Sequence, residues 1–530
     1  MNHKNFNENL TNLKIRYLLL TVLLFTGFNA AVAQQTDTQS VVDQIVTEVE
    51  ENSHLEELAH HLLDVIGPRL VGTPQQQHAH DWAVEMFSEW GIEARNEQYG
   101  EWRGWERGIT HVDMVHPRVV TLESMQLAWS PSTPPEGVTA GLVIIPEVDN
   151  REEFEEWLPE VDGKFVMISM HQPTGRPGYN WDEWATDESK AAMEQKVAEK
   201  TRSWRNRIQN TGLNTRSYIE ALEAAGAAGI VISNWSQGFG TNRIFGANTQ
   251  EIPTIDILLE DYGMLYRLVE NGNEPQIRVR TESEDLGMVP TFNTIAEIPG
   301  TEKPDEYIIL SAHYDSWDGG TGATDNGTGS ITMMEVARIL RKVYPNPKRT
   351  ILVGLWGGEE QGLNGSRAFV EDNPEIVDGL QALFNQDNGT GRVTSIQGEG
   401  FLHSYEYFSR WLSPVPSDVR DHIETNFPGM PSGGGTDHAS FVAAGAPAFM
   451  MRSLSWDYWS YTWHTNRDTY DKIVFDDLKN NVKLIATLAY MASEDPETFN
   501  RERRVMPIDP RTGEQARWPV PRSPNRSGGN

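Results

Sequence analysis

Five short motifs in the second half of the chain carry the residue types that hold divalent metal ions. They are His313-Tyr-Asp315, Thr324-Asp325-Asn326-Gly327, Gly358-Glu359-Glu360-Gln361, Gln386-Asp387-Asn388 and Trp463-His464-Thr465. Imidazole nitrogens and carboxylate oxygens suit borderline-to-hard divalent ions, and a carboxylate can also bridge two of them. The chemistry implied is hydrolysis by metal-activated water. Asp315 follows His313 by two residues, which in an extended segment puts both side chains on one side. A metal-bound histidine usually gives its other ring proton to a carboxylate, and Asp315 is the candidate for that orienting role. Of the adjacent Glu359 and Glu360, one can ligate a metal while the other accepts a proton from the attacking water.

Positioning these residues requires strands that deliver them to one edge. Apolar runs at 307–312, 350–356, 381–384 and 446–451 read as buried strands, and 328–343 reads as a helix with Met333, Val336, Ile339 and Leu340 on one face. Continuous apolar strands alternating with helices predict an α/β sheet covered on both faces. Ligands bind at the carboxyl ends of strands in such sheets, and His313, the Glu359–Glu360 pair and Asp387 each follow a strand. The Gly-rich stretch from Gly319 to Asp325 lacks a phosphate-loop signature.

Upstream, Leu55, Leu58, Leu62, Leu63 and Ile66 share a helical stripe, and a second helix follows Thr73-Pro74 with Trp82, Met86 and Trp90 as its apolar face. His54, His60, His61, His78 and His80 lie here without carboxylate motifs and read as packing or surface residues. From about 120 to 282 short β-rich runs appear at 142–145, 164–169, 229–233 and 252–259, with an exit strand at 276–280. The expected layout is a signal peptide at 1–33, a helical part of the main domain at 34–118, an insert at 119–282, the metal-binding domain at 283–500 and a flexible tail at 501–530. The tail's seven arginines among several Pro and Gly suggest little order.

Composition narrows the function. A chain of 530 residues with a net charge of −32 disfavours nucleic acid and anionic membranes as partners. Lys4, Lys14 and Arg16 precede the apolar run Tyr17–Phe25, and Ala31-Val-Ala33 offers a cleavage site, so export to the periplasm or medium is expected. No second long apolar stretch follows, so no membrane partner is expected after cleavage. The absence of cysteine excludes thiolate metal sites and Cys nucleophiles. Nothing in the pattern sets an oligomeric state.

The motifs resemble family twenty-eight of the metallopeptidases, the co-catalytic zinc aminopeptidases and glutamate carboxypeptidase-like enzymes. His313-x-Asp315, Asp325-Asn-Gly, Glu359-Glu360-x-Gly-Leu-x-Gly-Ser, Asp387 and His464 carry the likeness, with Asn293–Gly300 and Thr436-Asp-His-Ala-Ser-Phe441 as further landmarks. The resemblance implies a zinc-exopeptidase-type mixed sheet and two Zn²⁺ ions, for which Co or Mn can substitute. Asp325 would bridge both ions, His313 and Asp387 would complete one site, and Glu360 and His464 the other. Glu359 would be the general base and acid, with Asp315 orienting His313. Peptides are the implied substrates, with removal of N-terminal residues the first expectation. Carboxypeptidase or dipeptidase activity is the alternative, and a glutaminyl cyclase-type acyl transfer on one zinc is the alternative from another class. The insert resembles a protease-associated domain through Ala-Ala-Gly-Ala-Ala-Gly-Ile-Val-Ile and Ile-Pro-Thr-Ile. The chain departs from the family where some members place an oxyanion-binding Tyr, since Trp463 and Gly435 stand there. Tyr461 and His438 are the candidates for that contact.

Overall fold

A computed structural model describes residues 38–529; the expected signal peptide at 1–33 lies outside the described residues. Four parallel strands, Lys303–His313, Arg349–Trp356, Leu380–Asn385 and Ala448–Ser453, form the centre of a mixed sheet. The Arg349–Trp356 strand is buried along its whole length, as its unbroken apolar character requires. Its side chains alternate between two cores. Ile351, Val353 and Leu355 meet the helices Thr328–Val343 and Phe475–Glu494 on one face. Leu352 and Trp356 meet Phe369, Phe441 and Val442 on the other. The chain is therefore the α/β sheet with helices on both faces that its strand pattern predicts.

The first helical stripe runs as Leu55–Ala59 followed by a π-helical segment, His60–Ile66. The second helix is Pro74–Glu89, capped by the Thr73 hydroxyl, which accepts from the Gln76 amide, with Pro74 in the first turn. Its buried face is centred on Ala79, Trp82, Ala83 and Phe87, with Met86 and Trp90 half-buried at the rim. His80 is packed, its Nδ1 2.8 Å from Thr294 Oγ1.

Two elements escaped the sequence pattern. Glu93–His116 is a strand of 24 residues, and Gln276–Ile298 one of 23, paired antiparallel as a ribbon. The first carries four register shifts and many exposed polar residues, so no clean period of two survives. The second extends the exit strand expected at 276–280 straight into the main sheet, beside Arg349–Trp356. From this ribbon the sheet continues through Val138–Ile144, Phe165–Met167, Gly229–Ile232 and Thr254–Ile257, which are mutually parallel. The Asp187–Gln209 helix lies over this part without burying any residue.

The tail expected at 501–530 makes specific contacts with the rest of the chain. Trp518 donates its indole N–H to the Val442 carbonyl at 2.8 Å and packs edge-on against Phe401 at 5.5 Å. Arg526 pairs with Asp372 at 2.7 Å, and Ser527–Gly528 adds a short parallel pairing to the Glu93–His116 strand. Among the described residues no helix is long and apolar enough to cross a membrane.

Candidate metal centre

His313 ends its strand opposite Trp356 of the neighbouring parallel strand, so the turn after Trp356 opens directly beside it. That turn is Gly357-Gly358-Glu359-Glu360. Gly358 adopts φ 66°, and a Cβ there would lie 2.4 Å from the Tyr99 hydroxyl, so glycine is required on both counts. Asp387 follows the next strand, and Asp325 sits in the kinked segment Ala323–Gly327 ahead of the Thr328–Val343 helix. His464 follows the short helix Tyr458–Tyr461 and holds a left-handed backbone, φ 57°. Such a conformation is uncommon outside glycine and concentrates at functional sites.

The five side chains converge. His313 Nε2 lies 3.0 Å from Asp387 Oδ1 and 3.4 Å from Asp325 Oδ1. His464 Nε2 lies 2.8 Å from Glu360 Oε2 and 3.2 Å from Asp325 Oδ2. Asp325 thus turns one oxygen to each histidine, and two groups result, His313–Asp325–Asp387 and Asp325–Glu360–His464. Within each group the ligand atoms lie within 4.8 Å of one another. Asp325 Oδ2 and Glu360 Oε1 are buried without a hydrogen-bond partner. Unpartnered buried carboxylate oxygens around two imidazoles fit a pair of divalent cations with a shared carboxylate.

Electrostatics agree with that fit. Burial opposes charge on His313, yet Asp387, Asp315 and Asp325 hold its pKa well above the usual value. His464 is pushed up to about 10, with Glu360 and Asp325 overcoming burial. Burial, with Asp325 beside it, raises Glu360 to about 7. Glu359 is raised well above the carboxylate range by burial and by its neighbours Asp387, Asp437 and Glu360, against the pull of His313. Carboxylates crowded to this degree call for positive charge between them.

Asp315 does more than the sequence suggests. The Nδ1 of His313 is 3.0 Å from the Asp315 backbone carbonyl and 3.6 Å from its carboxylate. The carboxylate itself accepts the backbone N–H groups of Glu359 at 3.1 Å and Glu360 at 3.2 Å. One residue therefore orients the histidine through its backbone and the glutamate turn through its side chain.

The two candidates for an oxyanion contact lie apart from this constellation. The Tyr461 hydroxyl is 3.5 Å from that of Tyr179, and His438 Nε2 is 3.7 Å from Glu399 Oε1. Neither makes a hydrogen bond or ion pair to the five clustered side chains. His438 is buried and its pKa is driven down to about 3, so it stays neutral.

Four site residues carry roles that their motifs did not announce. Asp468 accepts the backbone N–H groups of Thr324 at 2.8 Å and Asp325 at 3.0 Å. Arg69 is fully buried and donates to the carbonyls of Gly67, Tyr314, Thr321 and Gly322, tying the turn after His313 to the loop that leads into Asp325. Asp437 is buried with both oxygens unpartnered and adds its charge to the environment of Glu359. Tyr458 is buried against Gly389, two residues beyond Asp387, where a Cβ would lie 3.3 Å from its ring. Burial and then Asp325, Asp387 and Glu360 push its phenol far up, so it remains protonated. Asp468 follows His464 by four residues in a polar loop, and Arg69 follows Gly67-Pro68; both patterns also occur in ordinary turns.

Residues 293–489 match peptidase family M28. This segment is an M28 peptidase domain. Carboxypeptidase Q of Mus musculus is 26% identical over 447 residues, covering 83% of this chain and 86% of that protein. The Homo sapiens protein of the same name is 25% identical over 448 residues, 83% of this chain and 85% of the relative. Among solved structures, a peptidase M28 precursor from Shewanella amazonensis superimposes with a TM-score of 0.63 at 24% identity, covering 89% of this chain and all of the other. A zinc aminopeptidase from Bacillus subtilis gives a TM-score of 0.53 at 18% identity, over 84% of this chain and 96% of that one. All five clustered residues fall inside the M28 segment.

Proposed function

We propose that the chain is an exported, two-zinc exopeptidase that removes the N-terminal residue of peptides. The observation that carries this reading is the shared Asp325, with one oxygen toward His313 and Asp387 and the other toward Glu360 and His464. His313, Asp325 and Asp387 would hold one ion; Asp325, Glu360 and His464 the other. Bound divalent ions polarise the scissile carbonyl and lower the pKa of water. Glu359 takes the proton of the attacking water and returns it to the leaving amine. Asp315 holds Glu359 in place through its backbone N–H. The insert, read as a protease-associated domain, supports the site through Ile244 and Phe245 against His464. The acidic chain takes no nucleic acid or membrane partner.

A dipeptidase or carboxypeptidase is the second reading, favoured by similarity to carboxypeptidase Q along most of both chains. Metal-loaded enzyme assayed on aminoacyl-nitroanilides, N-blocked peptides and peptides with N-terminal Gln separates the readings. Chelation should abolish hydrolysis, two equivalents of Zn²⁺ should restore it, and Glu359→Gln should lower kcat by about 10²–10⁴. Turnover of blocked peptides alone would refute removal of N-terminal residues. Cyclisation of Gln on a single ion would refute the peptidase reading altogether.

A further inference from the structure

The two histidines of the centre are held in different ways. His313 Nδ1 faces the Asp315 backbone carbonyl at 3.0 Å, so a hydrogen bond from its second ring nitrogen sets the plane of the ring. His464 Nδ1 is buried without any such partner. Its Nε2 is nevertheless aimed at Glu360, 2.8 Å away, and at Asp325, 3.2 Å away. A force other than a hydrogen bond fixes this imidazole.

Aromatic rings surround it. The Trp463 indole lies against its face, with ring centres 4.0 Å apart and planes 26° from parallel. Phe245 stands perpendicular to it at 5.2 Å, and Trp317 is tilted toward it at 6.1 Å. Phe245 belongs to the insert and Trp317 to the turn that follows Asp315, so the ring is hemmed from two parts of the chain. Stacked and edge-on contacts of this kind have preferred geometries, so they can set an orientation as well as fill space.

The indole is itself held. The Arg243 guanidinium, carried by the insert, packs over the Trp463 ring with Cζ 4.9 Å from its centre, within the range of cation–π attraction. Arg243 Nη2 also donates to the Trp459 carbonyl at 3.0 Å, and the Trp459 ring packs on Trp463 at 5.3 Å. Burial lowers the pKa of Arg243, and no neighbouring charge offsets it. Its cation is therefore not engaged by a carboxylate, although the chain carries a net charge of −32.

We propose that Trp463 and Arg243 are positioning residues that do for His464 what a hydrogen bond does for His313. The indole fixes the imidazole plane, and the guanidinium fixes the indole. The proposal rests on the two-ion reading above and divides its two ions. The one assigned to His313, Asp325 and Asp387 is independent of the stack, whereas the one assigned to Asp325, Glu360 and His464 depends on it.

Stepwise Zn²⁺ titration of the apoprotein against a chromophoric chelator tests this. Trp463→Leu keeps apolar bulk without a ring and should weaken one ion by about 10–100-fold, the usual effect of losing a ligand's orienting partner. The other ion should bind as in wild type, which also shows that the variant is folded. Trp463→Phe, which keeps a ring on the imidazole, should bind both ions nearly as wild type does. Arg243→Ala should weaken the same ion by about 2–10-fold, the scale of one cation–π contact, with Arg243→Lys in between. Wild-type affinity for both ions in Trp463→Leu, an equal loss at both, or a Phe variant as weak as Leu overturns the proposal. Proton spectra of ¹⁵N-histidine-labelled apoprotein, assigned with His464→Gln, give a readout that needs no metal. An upfield displacement of the His464 ring protons that survives in Trp463→Phe and is lost in Trp463→Leu supports the stack; its absence in wild type refutes it. A wild type that takes up a single ion would sink the two-ion reading, and these spectra then decide the stack alone.

Discussion

Replacing Asp468 by alanine should weaken both metal sites at once, although Asp468 touches neither ion's ligand atoms. Its carboxylate is fully buried and accepts two backbone N–H groups, Thr324 at 2.8 Å and Asp325 at 3.0 Å. Alanine leaves both donors buried without an acceptor, at about 1–3 kcal/mol each and so about 2–6 kcal/mol together. The loop relieves that cost by rotating the Thr324–Asp325 peptide, which swings the shared carboxylate away from His313 and His464. Loss of a residue that orients a metal ligand typically weakens affinity about 10–100-fold, or about 1.4–2.7 kcal/mol, well within the energy released. Asparagine keeps one acceptor oxygen and should fall between. The Asp468 backbone carbonyl still receives Thr321 at 2.8 Å in either variant, so the chain path is retained. The assay is competition for Zn²⁺ between the apoprotein and a chromophoric chelator, with far-UV circular dichroism as the folding control. A folded Asp468→Ala protein that takes up both ions at wild-type affinity refutes the reasoning. So does loss of one ion alone, because Asp325 serves both groups.

Tyr458, buried with its phenol close to the charges of Asp325, Asp387 and Glu360, is proposed as the oxyanion donor, so Tyr458→Phe should lower kcat by about 10²–10³ with KM and zinc content unchanged. A rate within twofold of wild type would remove Tyr458 from the reaction and leave it a packing residue. A pH effect is expected in the insert. Burial raises Asp256 to about 7, against the Asn242 amide at 2.7 Å and the Asn234 N–H at 3.1 Å. The folded pKa exceeds the unfolded value of about 3.9, so this group's contribution is complete below pH ~4 and is lost as pH rises through ~7, by up to about 4 kcal/mol. Asp256→Asn should flatten the fall in urea-unfolding free energy between pH 5 and pH 8; an unchanged slope would refute the assignment.

The sequence made the candidate metal centre legible because its residues obey short-range rules. His313, Glu359, Glu360 and Asp387 each end a strand whose apolar run is unmistakable, so topology alone sends them to one edge. Asp325 and His464 sit in loops and were placed by resemblance. What escaped was long-range. The Glu93–His116 strand is amphipathic only in pieces, because its bulges shift the alternation. The tail reads as disordered by composition, yet Trp518 finds a pocket that no local pattern encodes. Asp468 and Arg69 act on backbone groups distant in sequence, and a single buried arginine or aspartate in a polar loop resembles any turn residue.

The ordering of His464 ties the insert to the chemistry. A left-handed histidine costs of order 1–3 kcal/mol and persists only where surrounding contacts fix it. Here those contacts come from the insert. Ile244 donates its N–H to the His464 carbonyl at 2.8 Å. Two residues on, the Asn242 N–H reaches the Asn466 side-chain oxygen at 3.0 Å while the Asn466 N–H returns to the Asn242 carbonyl at 3.1 Å. Phe245 packs edge-on against the imidazole at 5.2 Å between ring centres. Asn242 is itself locked by Asp256 at 2.7 Å inside the insert. The chain of contacts therefore runs from Asp256, on the Thr254–Ile257 strand, through Asn242 to the loop that carries His464, a candidate metal ligand. An insert that loosened would release the strain at His464 and turn its Nε2 away from Asp325 and Glu360. The second metal group would then fail before the first, whose residues all belong to the main sheet and its loops.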